Sequence, residues 1–198
     1  MSLERSSRLS PEARGELLSI ARRALEAAVR REPGPKPDAA VPAGGSRPEL
    51  DARCGCFVTL KNRERLRGCI GCFTSDRPLA ETVAEYARIS ATQDWRFADD
   101  PITPAELGDI AIEISVLSPL ERIADPLDLE LGIHGIYIQR DGRSGCFLPQ
   151  VATEWGMSKE QFLSDCCAHK AGLSPDAWRD PRTSVSVFTA EIVAERTE

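Results

Sequence analysis

The sequence predicts an α+β fold built around a mainly antiparallel sheet. Short strand-like segments come in pairs joined by tight turns, and amphipathic helices lie among them without a regular strand–helix–strand alternation. The 198 residues are enough for one ordinary globular domain or for two closely packed subdomains. We therefore expect an antiparallel sheet flanked by helices.

The first predicted element is an amphipathic helix that begins at Ser10 and runs to about Arg31. Serine is a favoured N-cap, a proline follows it, and apolar residues then recur along one stripe. Residues 32–49 contain five prolines, two adjacent glycines and too few large apolar side chains to order themselves. We expect a tail at residues 1–9 and one domain over residues 10–195, with a flexible loop at 32–49.

The next elements are a β-hairpin and a helix. Residues 54–60 and 66–73 have the pattern of two short strands, and the polar residues 61–65 between them provide the turn. A helix is predicted from about Pro78 to Gln93, because apolar residues recur on one face at i, i+4 spacing.

The second half of the chain contains more short strands and one further long helix. Residues 110–117 alternate isoleucine and valine with Glu113, Ser115 and smaller side chains, which predicts a half-buried strand. Asp141 and Gly142 are typical of a type I′ turn. The other predicted elements are a helical turn at 103–106, strands at 133–140 and 143–148, a helix from Ser158 to a C-terminal Gly172, and a strand at 184–193.

Composition and charge exclude several classes of protein. No run approaches the roughly 20 apolar residues of a membrane-spanning helix, and the first residues lack the apolar core of a signal peptide. We therefore expect a soluble, cytoplasmic protein without a membrane partner. The formal net charge of −6 makes nucleic acid an unlikely partner. Motifs of P-loop, dinucleotide-binding and serine-hydrolase proteins are absent from the sequence.

Cysteines are frequent, but their odd number argues against a disulfide framework. We expect reduced thiols. The seven cysteines are Cys54, Cys56, Cys69, Cys72, Cys146, Cys166 and Cys167.

The segment from Leu66 to Cys72, with the sequence LRGCIGC, contains the densest set of candidate functional residues. In a strand, Arg67, Cys69 and Gly71 share one face, while Leu66, Ile70 and Cys72 share the other with Gly68. The first face resembles the wall of a small pocket, because Arg67 can hold a carboxylate or phosphate, its charge favours a thiolate, and Gly71 leaves open space. The alternative is a half-buried cysteine packed under an arginine stem.

Cys69 and Cys72 also form a CxxC pair, which is a feature of zinc and redox sites. On an extended strand, however, the two side chains point to opposite faces. If Val58 pairs with Ile70, Cys56 lies opposite Cys72 on the core face. We therefore expect no metal site and no cofactor.

Other polar residues have both a functional and a structural interpretation. Glu113 and Ser115 face either a cleft or water, and His134 is either a titrating group or a structural residue. Arg96 lies between Trp95 and Phe97, which suits anion capture or stacking.

Taken in order, several short segments resemble one known family, the AMMECR domain family, also called AmmeMemoRadiSam system protein A. The hexapeptide LRGCIG at 66–71 and LPQV at 148–151 are the most specific of these segments. The others are FVTL at 57–60, RPL at 77–79, DWRF at 94–97, IEISVLSP at 112–119, HG at 134–135 and KAGL at 170–173. The resemblance extends over roughly residues 12–195.

The resemblance implies an α+β domain with a larger and a smaller subdomain and a cleft beside the LRGCIG strand. It also implies a modification pathway shared with Memo-type and radical S-adenosylmethionine proteins. Trp95 departs from the family pattern, which usually has proline there, and Cys54, Cys56 and Cys72 lie outside the pattern. The motif residues in this sequence are Arg67, Gly68, Cys69, Gly71, Arg96, Glu113, Ser115, His134, Pro149 and Gln150.

Two functions from different classes follow from these residues. In the first, the domain is a thiol-dependent enzyme in which Cys69 attacks a small electrophile and Glu113 or His134 moves a proton. In that case Arg67, Gly68, Gly71, Arg96, Ser115 and Gln150 bind a small anionic metabolite or a nucleotide-like substrate. In the second, the domain is a non-catalytic accessory or scaffold protein that uses the same cleft for a ligand or a protein partner, and Cys69 only lines it.

Overall fold

A computed structural model describes residues 9–34 and 47–195. This part of the chain divides into two compact units. The first contains the residues up to Leu117 together with those from Glu191 onward, and the second is Ser118–Ala190. The two antiparallel sheets, each accompanied by helices, confirm the predicted α+β class.

Among the residues that the structure describes, the first unit contains three α-helices and a four-stranded sheet in the order β2-β1-β3-β8. Strand β1 pairs antiparallel with β2 on one side and with β3 on the other. The elements are α1 (Pro11–Arg30), α2 (Arg47–Leu50), β1 (Cys56–Asn62), β2 (Arg65–Cys72), α3 (Leu79–Thr92), β3 (Ile110–Leu117) and β8 (Ala190–Ala194).

One face of this sheet forms the core of the first unit. Alternate residues of β1 and β3 are buried on this face, where α1 and α3 contribute further apolar side chains. The register aligns Val58 with both Ile70 and Ile114, as the predicted hairpin requires. The sheet residues in the core include Cys56, Val58, Leu60, Ile110, Ile112 and Ile114.

Helix α1 is fixed at its N-terminus and along its length. The Ser10 hydroxyl accepts a hydrogen bond from the Ala13 N–H, which confirms the predicted N-cap. Arg14 binds Glu191, and Arg22 binds Glu195 as well as the Ile110 carbonyl, at 2.6 Å. These ion pairs attach the last described residues of the chain to the first unit.

The second unit has its own sheet, in the order β4-β7-β5-β6, and its own core. Asp141 and Gly142 both have positive φ, at 49° and 78°, which confirms the predicted type I′ turn between β5 and β6. The elements are β4 (Glu121–Arg122), β5 (Gly135–Arg140), β6 (Arg143–Phe147), α4 (Pro149–Glu154), α5 (Lys159–Asp165), a π-helical turn (Cys166–Lys170) and β7 (Ser184–Phe188).

The structure corrects two predicted element boundaries. The last strand is two strands, because β7 and β8 belong to different sheets and are separated at Thr189. Helix α2 overlaps the end of the predicted loop, so residues 47–49 are helical, while residues 35–46 lie outside the described chain. Of the predicted tail, only Leu9 is described. Helix α4 was not predicted.

Among the residues that the structure describes, no helix is both long and apolar enough to cross a membrane.

Candidate functional site

One row of side chains crosses three strands of the first sheet, on the face opposite the core. Thr59 of β1 pairs with Cys69 of β2 on one side and with Glu113 of β3 on the other. Directly opposite residues share a face, so a thiol, a hydroxyl and a carboxylate lie side by side, with about 5 Å between neighbouring Cβ atoms. All three residues are half-buried. We call these three residues the Cys69 row.

The hydrogen bonds around Cys69 fix both its backbone and its sulfur. The Thr59 hydroxyl donates to the Cys69 Sγ at 3.3 Å. Strand β2 is an edge strand, and the Cys69 N–H donates to the Asp94 carboxylate at 2.9 Å while the Cys69 carbonyl accepts from Arg96 at 3.0 Å. The segment after α3 therefore covers the sheet edge at Cys69.

Arg96 is the cation beside the thiol. Its guanidinium forms a two-point contact with Asp94, Nε to Oδ1 at 2.9 Å and Nη2 to Oδ2 at 2.6 Å. Asp94 is buried, with 3% of its side chain exposed, whereas 41% of the Arg96 side chain is exposed. The hydrogen bond with Asp94 raises the pKa of Arg96, and the Cys69 sulfur adds to this effect. The same hydrogen bond lowers the pKa of Asp94 despite its burial.

Arg67 occupies a different environment from the one the sequence predicts. Leu60 pairs with Gly68 and Lys61 with Leu66, so a β-bulge leaves Arg67 without a partner on β1. The prediction that Arg67 and Cys69 share a face assumed a regular alternation of side chains along β2, and the bulge interrupts that alternation. The bulge also places Leu66 opposite Lys61, so Leu66 lies on the face of the Cys69 row and not in the core, where it was predicted.

The Arg67 side chain is 1% exposed, and two carboxylates hold it. Its guanidinium donates to Asp100 at 2.8 Å and to Glu106 at 3.2 Å, as well as to the Pro101 carbonyl. Hydrogen bonds from Arg67 lower the pKa of Asp100. Burial opposes ionisation of Glu106, but the Thr103 N–H and Arg67 outweigh it and lower the pKa of that carboxyl. These contacts give Arg67 a structural role within the first unit.

The two glycines of the motif make close backbone contacts. A Cβ at Gly71 would lie 2.6 Å from the Cδ1 atom of Phe57 and 2.1 Å from the Cys56 carbonyl oxygen. The Phe57 ring thus fills the space that was predicted to be open for a ligand. A Cβ at Gly68 would lie 2.1 Å from the Ser90 carbonyl oxygen of α3, so Gly68 allows the helix to approach the sheet.

The remaining thiols of the hairpin lie on the opposite face from Cys69, as predicted. Cys56 pairs directly with Cys72. Cys56 is fully buried, and burial raises its pKa well above the ordinary value. Cys72 was predicted to be buried, but it is half-buried. The burial of Tyr86, together with its hydrogen bond to Cys72, raises the pKa of Tyr86 to about 12.

The other candidate residues of the first unit lie on strand β3. The Glu113 carboxylate accepts a hydrogen bond from the Lys61 ammonium at 3.3 Å, and 29% of its side chain is exposed. Ser115 pairs with Phe57 and is 2% exposed. Glu113 therefore remains accessible beside Thr59, and Ser115 does not.

His134 and Gln150 belong to the second unit. The His134 Nδ1 accepts a hydrogen bond from the Glu130 backbone N–H at 3.0 Å, and the backbone N–H of His134 donates to the Glu130 carbonyl at 2.8 Å. The imidazole thus closes a turn, with Nδ1 as an acceptor, which is the structural interpretation of this residue. Gln150 lies in the first turn of α4, directly after the N1 proline.

Sequence reasoning missed Thr59, Lys61 and Asp94 as parts of the site. The alternation of Phe57, Thr59 and Lys61 on β1 was a usable signal, since these residues share the face of Cys69. Asp94 accepts a hydrogen bond from the Arg96 N–H at 3.3 Å, and aspartate two residues before its partner is typical of an Asx turn. The contact from Asp94 to Cys69 spans 25 residues and has no local signature.

Within residues 9–34 and 47–195, no cluster of three or more His, Cys, Asp or Glu side chains is arranged to hold a metal ion.

Replacing Asp94 with asparagine is expected to lower the free energy of unfolding at neutral pH by about 2 kcal/mol, because a buried charge-assisted contact is lost. The pKa of Asp94 is lower in the folded chain, so this stabilisation is present above about pH 4 and disappears as the pH falls below that value. Urea unfolding from pH 7 to pH 2 should therefore show a shallower acid decline for Asp94→Asn than for the wild type. Asp99→Asn, at an exposed position in the same segment, is the control. Equal acid declines in all three proteins would disprove the assigned role of Asp94.

Comparisons with known proteins agree with this architecture. The AMMECR1 family model matches residues 18–193. A protein of Methanothermobacter thermautotrophicus is 40% identical over 190 residues, which cover 90% of this chain and 92% of that protein. A protein of Thermococcus gammatolerans is 41% identical, over 90% of this chain and 88% of that protein. The crystal structure of the uncharacterized protein PH0010 from Pyrococcus horikoshii superposes with a TM-score of 0.80 at 38% identity, over 93% of this chain and 92% of that one. With the motif segments, the sheet topology and these relatives in agreement, the chain belongs to the AMMECR1 family.

Proposed function

We propose that the Cys69 row binds a small anionic molecule and that Cys69 is its reactive contact. The observation that carries the proposal is the position of Arg96, whose guanidinium donates to the Cys69 carbonyl at 3.0 Å and is held there by the buried carboxylate of Asp94. A fixed cation beside a half-buried thiol attracts a carboxylate or phosphate of a ligand to that thiol. Arg96 thus takes the part that the sequence assigned to Arg67.

The ligand lies over Thr59 in this proposal, with groups of different chemistry at its two ends. Cys69 and Glu113 are two strand spacings apart, roughly 10 Å, so the carboxylate is too distant to take the thiol proton directly. Glu113 acts instead on a proton at the far end of the ligand. Its contact with Lys61 keeps the carboxylate beside Thr59.

The chemical step is a substitution at an electrophilic carbon of the ligand. The sulfur of Cys69 forms a bond to that carbon, the bond to the leaving group breaks with its electron pair, and the thiol proton is released to solvent. Water then attacks the same carbon, the bond to sulfur breaks with its electron pair, and a proton of that water restores the thiol. This makes the domain a thiol-dependent enzyme acting on a small anionic metabolite or a nucleotide-like substrate in the cytoplasm. We further propose that the domain acts in a modification pathway with Memo-type and radical S-adenosylmethionine proteins, and this part of the proposal rests on the family resemblance.

Labelling with two alkylating agents of different charge tests the proposal. Iodoacetate is anionic and iodoacetamide is neutral, and both alkylate thiols. The quantity compared is the rate of labelling by iodoacetate divided by the rate of labelling by iodoacetamide at the same cysteine. We expect this ratio to be about fivefold or more higher at Cys69 than at Cys72, because only Cys69 of the two lies beside a guanidinium. Fragment-ion mass spectrometry of the tryptic peptide 68–88 distinguishes the two cysteines, because trypsin does not cleave efficiently between Arg77 and Pro78. Arg96→Lys should reduce this preference, because a single ammonium does not reproduce the two-point contact with Asp94.

Two further results would decide against the proposal. Faster labelling of Cys72 than of Cys69 would place the reactive thiol on the other face of the sheet. A Cys69 thiol that labels slowly and without regard to reagent charge would favour the non-catalytic accessory role. Cys69→Ser, with Cys72→Ser as the matched control, should keep the thermal midpoint of the wild type and lose iodoacetate labelling at position 69.

A further inference from the structure

A cleft in the second unit has the features of a separate ligand site. It encloses about 510 Å³ and is formed by the chain around β4, by the residues that follow Trp178, and by the start of β7. Its lining includes Arg122, Ile123, Trp178, Arg179, Asp180 and Thr183. We propose that this cleft, the Arg122 cleft, binds a small molecule with an apolar or aromatic body and one anionic group.

The walls of the Arg122 cleft are held in place by buried hydrogen bonds. Trp178 is 6% exposed, and its indole N–H donates to the Ser164 hydroxyl at 3.0 Å. Thr183 is 7% exposed, and its hydroxyl donates to the Ala177 carbonyl at 2.6 Å. These contacts fix the Trp178 ring and leave the Thr183 oxygen free to accept a hydrogen bond. The cleft is therefore largely preformed, as small-molecule sites usually are.

The charges in the cleft favour an anion. Asp180 is its only acidic lining residue in the described chain, and two arginines already neutralise it. Arg182 donates to both carboxylate oxygens, at 3.1 Å and 2.7 Å, and Arg140 approaches to 3.1 Å. The hydrogen bonds from Arg182 lower the pKa of Asp180, so this carboxylate stays ionised and paired. The remaining lining charges are those of Arg122 and Arg179.

Arg122 and Arg179 have little competition for a ligand. Arg122 makes no side-chain hydrogen bond or ion pair with any described residue, and it is exposed. Arg179 lies 4.6 Å above the Trp178 ring and approaches Glu160 only to 3.8 Å, where both side chains are largely exposed. Such an exposed pair contributes little and yields readily to a ligand anion.

The size and polarity of the cleft define the ligand class. A volume of about 510 Å³ matches a ligand of metabolite or nucleotide size. Ile123, Pro126 and Val185 supply apolar contact beside Trp178, and the guanidinium of Arg122 supplies the charge. Because the chain has a net charge of −6, anion binding here depends on these local arginines and not on the field of the whole protein.

Two fluorescent probes that differ in charge test the proposal on the full chain. 1-Anilinonaphthalene-8-sulfonate is an aromatic anion, and N-phenyl-1-naphthylamine is its uncharged analogue. We expect the sulfonate to bind and Arg122→Met to weaken its affinity by about tenfold, while affinity for the amine changes by less than about twofold. Arg63→Met is the matched control, because it removes one positive charge from an exposed turn of the first unit.

The location of the bound probe is read from the Trp178 indole N–H resonance, which should shift on addition of the sulfonate. Equal sulfonate affinities for Arg122→Met and Arg63→Met, or an unshifted Trp178 signal at saturation, would overturn the proposal. Cys69→Ser should bind the sulfonate with unchanged affinity, because the Cys69 row and the Arg122 cleft are formed by different residues. Failure of one proposal is thus distinguishable from failure of the other.

Discussion

Replacing Arg67 with methionine is expected to lower the free energy of unfolding by about 3 kcal/mol. The Arg67 guanidinium is almost completely buried and holds Asp100, Glu106 and the Pro101 carbonyl together. Removing it leaves Glu106, three-quarters buried, without its cationic partner, and it also removes the packing of the arginine stem. Asp100 is half exposed and regains hydration, so Glu106 and the lost packing account for most of the effect.

The control for this prediction lies two residues away on the same strand. Arg65 also binds Asp100, but 67% of its side chain is exposed. Arg65→Met should therefore cost less than about 1 kcal/mol. Chemical unfolding of both variants, followed by circular dichroism, measures the difference. Equal stability of the two variants would mean that Arg67 is not structural, and it would return this residue to the ligand-binding role that the LRGCIG pattern suggested.

A lysine at position 67 separates charge from geometry. Arg67→Lys keeps the positive charge, but one ammonium cannot reach two carboxylates and a carbonyl at once. We expect its stability to fall between the wild type and Arg67→Met. If lysine restored full stability, the planar guanidinium would not be required.

Alternation and turn chemistry predicted the parts of the fold that depend on neighbouring residues. The strand at 110–117 follows from its alternating isoleucines, and the hairpin at Asp141 and Gly142 follows from residues that tolerate positive φ. The pairing of Val58 with Ile70, which was assumed for the hairpin, is present in the structure, and it places Cys69 on the face opposite Cys56 and Cys72. Each of these features depends on residues that lie close to one another in the sequence.

The parts that could not be predicted depend on contacts between distant segments. The bulge at Arg67 becomes visible only in the strand pairing, because an extra residue leaves no local pattern in the sequence. The ring of Phe57 over Gly71 and the approach of Arg96 to Cys69 depend on how β1 and the segment after α3 pack against β2. A local interpretation of the LRGCIG motif therefore placed Arg67 beside Cys69, whereas Arg96 is the guanidinium that contacts Cys69 in the structure.

Gly68 is expected to tolerate no side chain, because the backbone of helix α3 lies directly against it. A Cβ at this position would meet the Ser90 carbonyl oxygen at 2.1 Å and its carbonyl carbon at 2.9 Å. Both atoms belong to the helix backbone, so no side-chain rotation relieves the overlap, and α3 must move away from β2.

The close approach at Gly68 also places the Ser90 hydroxyl between two strands. This hydroxyl accepts a hydrogen bond from the Ile70 N–H at 2.9 Å and donates one to the Val58 carbonyl at 2.9 Å. Ser90 is 1% exposed, so an outward shift of α3 would leave these backbone groups of β1 and β2 without partners and shielded from water. The cost of moving the helix is therefore larger than the lost packing alone.

Gly68→Ala should lower the free energy of unfolding by about 3 kcal/mol, through overpacking and the loss of the Ser90 bridge. Gly108→Ala is the matched control, since no other atom would lie within 4 Å of a Cβ at that position, and a change within about 0.5 kcal/mol is expected. Ser90→Ala removes the bridge without the overlap and should cost less than Gly68→Ala. Urea unfolding of the three variants gives the order directly. If Gly68→Ala were as stable as Gly108→Ala, the close packing of α3 on β2 would be wrong, and the glycine would have to be explained by a ligand.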